Sequence, residues 1–171
     1  RASKGLIVRI GVTGSAGFLG WHLRCRLLIA SAGHEAVCAD RSTFADAAAL
    51  DRFVSSCDAI VHVAGVNRAN SDAEVASGNT WLAQQLVEAM QRTGTAVPVL
   101  YTNSVKADDG GVYGDAKQAA ADILAQHQFA TNMPMIDMVL PHVFGAATAL
   151  AGTKTMKPAT QVHWLMSVEL V

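Results

Sequence analysis

The sequence predicts an α/β fold: a doubly wound parallel sheet with helices on both faces. Three observations carry this. Short apolar, β-branched runs alternate with longer segments of helical periodicity. A glycine-rich turn, Thr13-Gly14-Ser15-Ala16-Gly17-Phe18-Leu19-Gly20, joins the first strand-like run to the first helix-like run. Asp40 closes the second strand-like run, twenty residues after Gly20. Together they are the pattern of a Rossmann-type sheet.

The elements follow in order. Residues 6–12, LIVRIGV, are a short apolar run before Thr-Gly and read as a buried strand. Residues 18–33 carry Leu19, Leu23, Leu27 and Leu28 at helical spacing, with Gly33 as the stop. Residues 34–40 read as the second strand, 46–56 as a helix, and 58–65, DAIVHVAG, as the third strand. In 80–94, Leu82, Leu86 and Met90 recur four apart and Gly94 ends the helix. Residues 97–104, VPVLYTNS, are the fourth strand. The Ala- and Gln-rich stretch 114–129 is the next helix, and 134–141 the fifth strand. After Gly145 the apolar residues lose any clear period. One dinucleotide-binding domain is expected over 1–145, and 146–171 remain unplaced, a remnant or the start of a substrate domain.

Composition narrows the class of function. Of 171 residues, 51% are hydrophobic and 16% charged, which is the balance of a folded globular chain. The net charge of −1, with no basic run, argues against nucleic acid or an anionic membrane as the main partner. Cys25, Cys38 and Cys57 are odd in number and lack metal-site spacing, so they read as buried free thiols in a reducing compartment, and no metal is expected. No apolar stretch reaches the roughly 18 residues of a membrane span. RASKG has no apolar signal region behind it, and because the chain begins with Arg1 and not Met, residues trimmed or left unnumbered before it are expected. The expected location is cytoplasmic.

The turn at 13–20 has the chemistry of a diphosphate cradle. Gly14 permits the tight turn, Gly17 lets backbone approach a pyrophosphate, and Gly20 allows close helix–strand packing. The helix beginning at Phe18 and Leu19 adds N–H donors and a partial positive charge. Asp40 then suits the adenosine ribose hydroxyls and favours NAD, since a carboxylate repels a 2′-phosphate. Arg41 beside it favours NADP if it pairs with that phosphate, and is otherwise a solvated loop charge. NAD and NADP both stay open.

A second constellation lies about a hundred residues on. Tyr113 and Lys117 are four apart and share a helix face. Ser104 ends the fourth strand, and ligands of such sheets bind at the carboxyl ends of strands. A phenol titrates near pH 10, so an adjacent ammonium is expected to lower its pKa. Tyr113 then exchanges a proton with a substrate oxygen that Ser104 positions, while nicotinamide exchanges a hydride with the adjacent carbon. A plain surface pair on a helix is the simpler reading of Tyr-x-x-x-Lys taken alone.

With TGSAGFLG, Asp40, DAIVHVAG, GNTWLAQQLVEAM, TNSV, YGDAK and LPHVFG in place, the sequence from about residue 6 to 145 resembles the extended short-chain dehydrogenase/reductase family. That family comprises nucleotide-sugar epimerases, dehydratases and reductases. DAIVHVAGVNRANSDAEVASGN most resembles the bacterial capsule and O-antigen enzymes that reduce a UDP-linked 4-keto-6-deoxy-N-acetyl sugar. The resemblance implies that Ser104, Tyr113 and Lys117 are catalytic, with Lys117 also on the nicotinamide ribose. It implies that Ala64 and Gly65 line the cofactor. Asn79 matches an asparagine that organises the active site; a helix N-cap is its plainer role. His62 reads as a packed strand histidine, and Asn67 and Arg68 either meet substrate or belong to a polar loop.

Two departures matter. Sugar dehydratases of the family follow the serine with Asp-Glu, whereas Val105-Lys106 stands here. Relatives carry Arg and Asn around the LP motif, where this chain has Val139 and His142. The expected activity is therefore NAD(P)-dependent reduction of a nucleotide-linked keto-sugar. A 4-epimerase with the same triad is the alternative enzyme, and a non-catalytic dinucleotide sensor or scaffold the alternative class. The family often dimerises through two helices, which makes a homodimer a further expectation.

Overall fold

The computed structural model describes residues 7–30, 33–67, 69–141 and 143. Its elements are β1 (Arg9–Thr13), α1 (Phe18–Ile29), β2 (Glu35–Ala39), α2 (Arg41–Ala45), α3 (Ala47–Ser55), β3 (Ala59–His62), α4 (Asp72–Thr93), β4 (Val99–Ser104), α5 (Val112–Thr131) and β5 (Met135–Leu140). A single 3₁₀ turn, Val105–Asp108, joins β4 to α5. The chain divides into a compact unit ending at Pro141 and a second beginning at His142; every described element lies in the first.

The five strands are all parallel, in the order β2-β1-β3-β4-β5. The order reverses between β1 and β3, which opens a crevice at their carboxyl ends. Right-handed crossovers put α1 on one face and α3, α4 and α5 on the other. Accordingly α1 packs on β1 and β2, while α3 packs on α4 and α4 on α5. The core lies under that second layer: Leu50, Phe53, Val54, Ile60, Leu86, Met90, Val99, Tyr101 and Leu124 are all buried. Each such side chain contributes roughly 1.5–3 kcal/mol by leaving water.

Element types match the sequence reading, and several bounds do not. The helix expected at 80–94 starts at Asp72, because Ser71 caps it by accepting from the Glu74 amide at 3.2 Å. Gly94 ends it in the left-handed region, as expected. Helix α1 stops at Ile29 rather than at Gly33, and residues 31 and 32 lie outside the described residues. Of its four spaced leucines, Leu28 falls off the packed stripe and is 81% exposed. The short helix α2 was not expected at all; Asp40 nucleates it. All three cysteines are free, but Cys57 alone is buried: Cys25 is half-buried and Cys38 exposed. Among the described residues no helix is long and apolar enough to cross a membrane.

Candidate active site

The turn after β1 is held from both sides. The Ser15 amide donates to the Ala39 carbonyl at 3.2 Å, tying it to the end of β2. Thr13 ties it to β3: its Oγ1 accepts from the Val63 and Ala64 amides, each at 3.1 Å. Those bonds use both Oγ1 lone pairs, so the hydroxyl proton goes to His62 Nδ1, 2.8 Å away. His62 is therefore the neutral tautomer with its proton on Nε2. Burial pulls its pKa down to about 3, with the Lys117 charge adding to the effect. It is a packed strand histidine.

Gly14 sits at φ 64°, and a Cβ there would strike the Ala64 backbone. A Cβ on Gly20 would collide with the Gly14 carbonyl and Ser15. Gly17 differs: a Cβ would meet the Gly14 carbonyl alone, at 3.2 Å, and otherwise face open space. Gly17 is also the N-cap of α1 and offers no side-chain cap. The first-turn amides, those of Phe18 and Leu19 among them, are thus free of a competing acceptor at an accessible helix start. This arrangement fits a diphosphate.

Asp40 follows β2 and is exposed. Its Oδ1 accepts from the Ser42 amide at 2.9 Å, the Ser42 hydroxyl at 2.6 Å and the Thr43 amide at 3.2 Å. The Asp40 amide donates to Thr43 Oγ1 at 3.3 Å, completing a capping box for α2. The Ser42 hydroxyl first, then the Thr43 amide, holds its carboxyl below the usual carboxylate range. Oδ2 makes none of these bonds and faces solvent. Arg41 is the first residue of α2 and is exposed.

Ala64, Gly65 and Val66 leave β3 as a loop, and Asn79 fastens it. The Asn79 side chain is 2% exposed and lies in the third turn of α4, so it is not the cap. Its Nδ2 also donates to the Val75 carbonyl at 2.8 Å. A Cβ on Gly65 would lie 3.0 Å from Asn79 Oδ1 and 3.8 Å from Lys117 Nζ, so this glycine brings the loop onto both. Asn67 is exposed beyond it; Arg68 lies outside the described residues, as do His142 and residues 144–171. Val139, on β5, is 54% exposed.

Ser104, Tyr113 and Lys117 gather where β4 ends and α5 begins. Ser104 caps the 3₁₀ turn, its Oγ accepting from the Lys106 amide at 3.2 Å. That leaves its hydroxyl proton to donate elsewhere. Gly114 packs without a Cβ against the Lys106 carbonyl, which docks the start of α5, and so Tyr113, on that turn. Tyr113, Lys106, Asp109 and Asp72 line a shallow cavity of ≈ 250 Å³. Lys117 is 4% exposed, and burial brings its ammonium down to about 8, partly opposed by Asp137.

Tyr113 was expected to have a lowered pKa, but half-burial raises it. The Lys117 ammonium lies over the Tyr101 ring, 4.1 Å from its centroid. The sequence reading also missed the Thr13 clamp and the Asn103–Asp137 contact, in which Nδ2 donates to Oδ2 at 3.0 Å. The position of Thr13 at the very end of a strand, before Gly14, was the available signal for the first.

A family model described as the NAD dependent epimerase/dehydratase family matches residues 10–163. A UDP-2-acetamido-2,6-beta-L-arabino-hexul-4-ose reductase of Pseudomonas aeruginosa strain PA103 is 36% identical over 138 residues. The match covers 81% of this chain and 36% of that protein, so the chain spans about a third of its relative's length. The fold is similar to RMD from Pseudomonas aeruginosa complexed with NADPH: TM-score 0.67, 20% identity, covering 77% of this chain and 51% of that one. It is similar also to UDP-glucuronic acid 4-epimerase from Bacillus cereus in complex with NAD: TM-score 0.66, 20% identity, covering 80% and 57%.

Proposed function

Since the chain belongs to the NAD-dependent epimerase/dehydratase family, we propose that it is an NAD(P)-dependent oxidoreductase acting on a nucleotide-activated sugar, and that it reduces a 4-keto-6-deoxy sugar. The observation that carries the reading is that Ser104, with a hydroxyl proton left to donate, ends β4, while the half-buried Tyr113 phenol and the buried Lys117 ammonium lie one turn apart on α5, which packs on β4 and on the turn that follows it. The reductase of Pseudomonas aeruginosa supports the direction and the substrate class.

The residues divide the work. The backbone of residues 14–20 and the first amides of α1 would hold the cofactor diphosphate. Asp40 Oδ2 and Arg41 would meet the adenosine ribose, and Ala64 and Gly65 would line the nicotinamide end. When bound, the nicotinamide supplies the hydride. Ser104 donates its hydroxyl proton to the keto oxygen and orients the carbonyl. Reduction needs an acid at that oxygen. Tyr113 is suited to it: a phenol titrates near 10 and so carries its proton at neutral pH, and burial raises it further. Lys117 opposes the negative charge left on the phenolate and presents N–H donors to the nicotinamide ribose. Asn79 touches none of the reacting groups and acts by fixing the loop at 64–66.

The test is to supply the full-length protein with NADH or NADPH and a UDP-linked 4-keto-6-deoxy sugar. Stoichiometric loss of reduced cofactor with formation of the hydroxy-sugar is expected. Interconversion of 4-epimers without net cofactor loss would replace the reading by an epimerase. Tight cofactor binding without any turnover across keto-sugars would leave the sensor reading in its place.

A further inference from the structure

Lys117 and Tyr101 form a buried cation–π pair, with Nζ 4.1 Å from the ring centroid. Tyr101 is 1% exposed and Lys117 4%. Among the described residues no carboxylate pairs with this ammonium. The ring is itself held. Its hydroxyl donates to the Lys117 carbonyl oxygen at 3.2 Å. The His62 ring stacks on it at 5.7 Å and 23°, a contact set by the β3–β4 register that puts His62 opposite Tyr101. His62 in turn meets Thr13. A continuous line of contacts, Thr13–His62–Tyr101–Lys117, thus runs from the glycine turn to helix α5.

We propose that Tyr101 is a positioning residue: the face of its ring holds the Lys117 ammonium in register with Tyr113 and the cofactor ribose. The proposal rests on the catalytic reading of Lys117 above. A buried ammonium needs compensation, and a ring face gives it without using any of the three N–H donors. A carboxylate in the same place would occupy donors that the ribose and the phenol require. Tyr101 also contacts both ends of Lys117, the ammonium through its ring and the backbone through its hydroxyl. The ring is therefore fixed relative to the residue it positions. Among the described residues, the other titratable groups acting on this pair are the neutral His62 of β3 and Asp137 of β5, with Tyr113 of the same helix acting on Tyr101.

Two variants separate ring from hydroxyl. Tyr101→Phe keeps the face, and Tyr101→Leu removes it. Cofactor affinity is read by titration of NADH and NADPH. The Lys117 ε-methylene shift is read by NMR in protein labelled with ¹³C-lysine, assigned by its absence in Lys117→Met. In the wild-type chain the ring current should move the ε-methylene protons upfield, and Tyr101→Phe should keep that shift. Tyr101→Leu should abolish it and weaken cofactor binding about tenfold, while Tyr101→Phe stays within about threefold of wild type. An unshifted Lys117 methylene in the wild-type chain overturns the proposal and needs no variant to fold. Equal cofactor affinities in the Leu and Phe variants overturn it too. The shift is measured with neither substrate nor cofactor present. It can therefore fail while turnover stands, or stand where turnover is absent, which separates this proposal from the reductase reading.

Discussion

The Asn79 carboxamide and the Val66 backbone hold each other by two hydrogen bonds: the Val66 amide donates to Oδ1 at 3.1 Å, and Nδ2 donates to the Val66 carbonyl at 2.8 Å. This clamp sets the path of the loop whose Gly65 lies beside Lys117. Truncating Asn79 removes the partners of the part-buried Val66 amide and carbonyl, at up to about 1–3 kcal/mol for each group left unpaired. Asn79→Ala should lower unfolding stability by about 2–3 kcal/mol in denaturant titration and weaken cofactor binding as the loop loosens. Wild-type stability and affinity in this variant would remove Asn79 from the site.

The two later glycines of the turn should separate binding from folding. Gly17→Leu adds bulk into open space, so the domain should fold while NADH and NADPH binding disappears. Gly20→Leu puts the same bulk against the Gly14 carbonyl and Ser15 and should unfold the chain, as circular dichroism would report. Unchanged cofactor affinity in a folded Gly17→Leu variant would show that the turn does not hold the diphosphate.

Cofactor choice turns on Asp40 and Arg41. Asp40→Ala should relax a preference for NAD if Oδ2 reads the ribose, and it should also lower stability by uncapping α2. Arg41→Ala should selectively weaken NADP if the guanidinium holds a 2′-phosphate. Titrating both cofactors against both variants decides the matter, and equal affinities throughout would exclude both residues from that role.

Catalysis should depend on one oxygen. Tyr113→Phe is expected to lose about 10²–10⁴ in turnover in the full-length protein while cofactor affinity holds. Lys117→Met should lose both, yet gain stability near neutral pH. Burial depresses the Lys117 pKa from 10.5 to about 8, so its charge burdens the folded state below pH 8. That burden, about 3 kcal/mol, is relieved as pH rises from 8 towards 10.5, where the native state releases the proton first. Thermal unfolding should therefore show the Lys117→Met gain shrinking over that range. Wild-type turnover in Tyr113→Phe would dismiss the proposed acid.

His62 should contribute an acid-labile component of stability. The ring stays neutral in the fold to about pH 3, while the unfolded chain binds a proton near 6.5. Below 6.5 the unfolded state holds more protons, so stability falls as pH drops from 6.5 towards 3, by at most about 1.4 kcal/mol per unit. Above 6.5 this group adds no slope. Denaturant titrations at about pH 6.5 and about pH 4.5 should show a smaller loss for His62→Gln than for wild type. Equal losses would mean that the ring takes a proton in place.

Local patterns determined much of this protein. Apolar runs before Thr13 and Gly65, leucines four apart in α4 and the left-handed stop at Gly94 are set by neighbours within a turn or two, so strand and helix types were legible residue by residue. The spacing of Gly14, Gly17 and Gly20, and of Tyr113 and Lys117, was legible for the same reason: these residues lie within one continuous element. Tertiary structure decided the contacts that cross elements. Asn79 reaches back thirteen residues to Val66, and Thr13 spans fifty to the Val63 amide. Tyr101 finds Lys117 only because β4 lies beneath α5. Tyr113 has a raised rather than a lowered pKa because it is half-buried. Burial and cross-strand register arise from packing distant segments together, and no spacing along the chain encodes them directly.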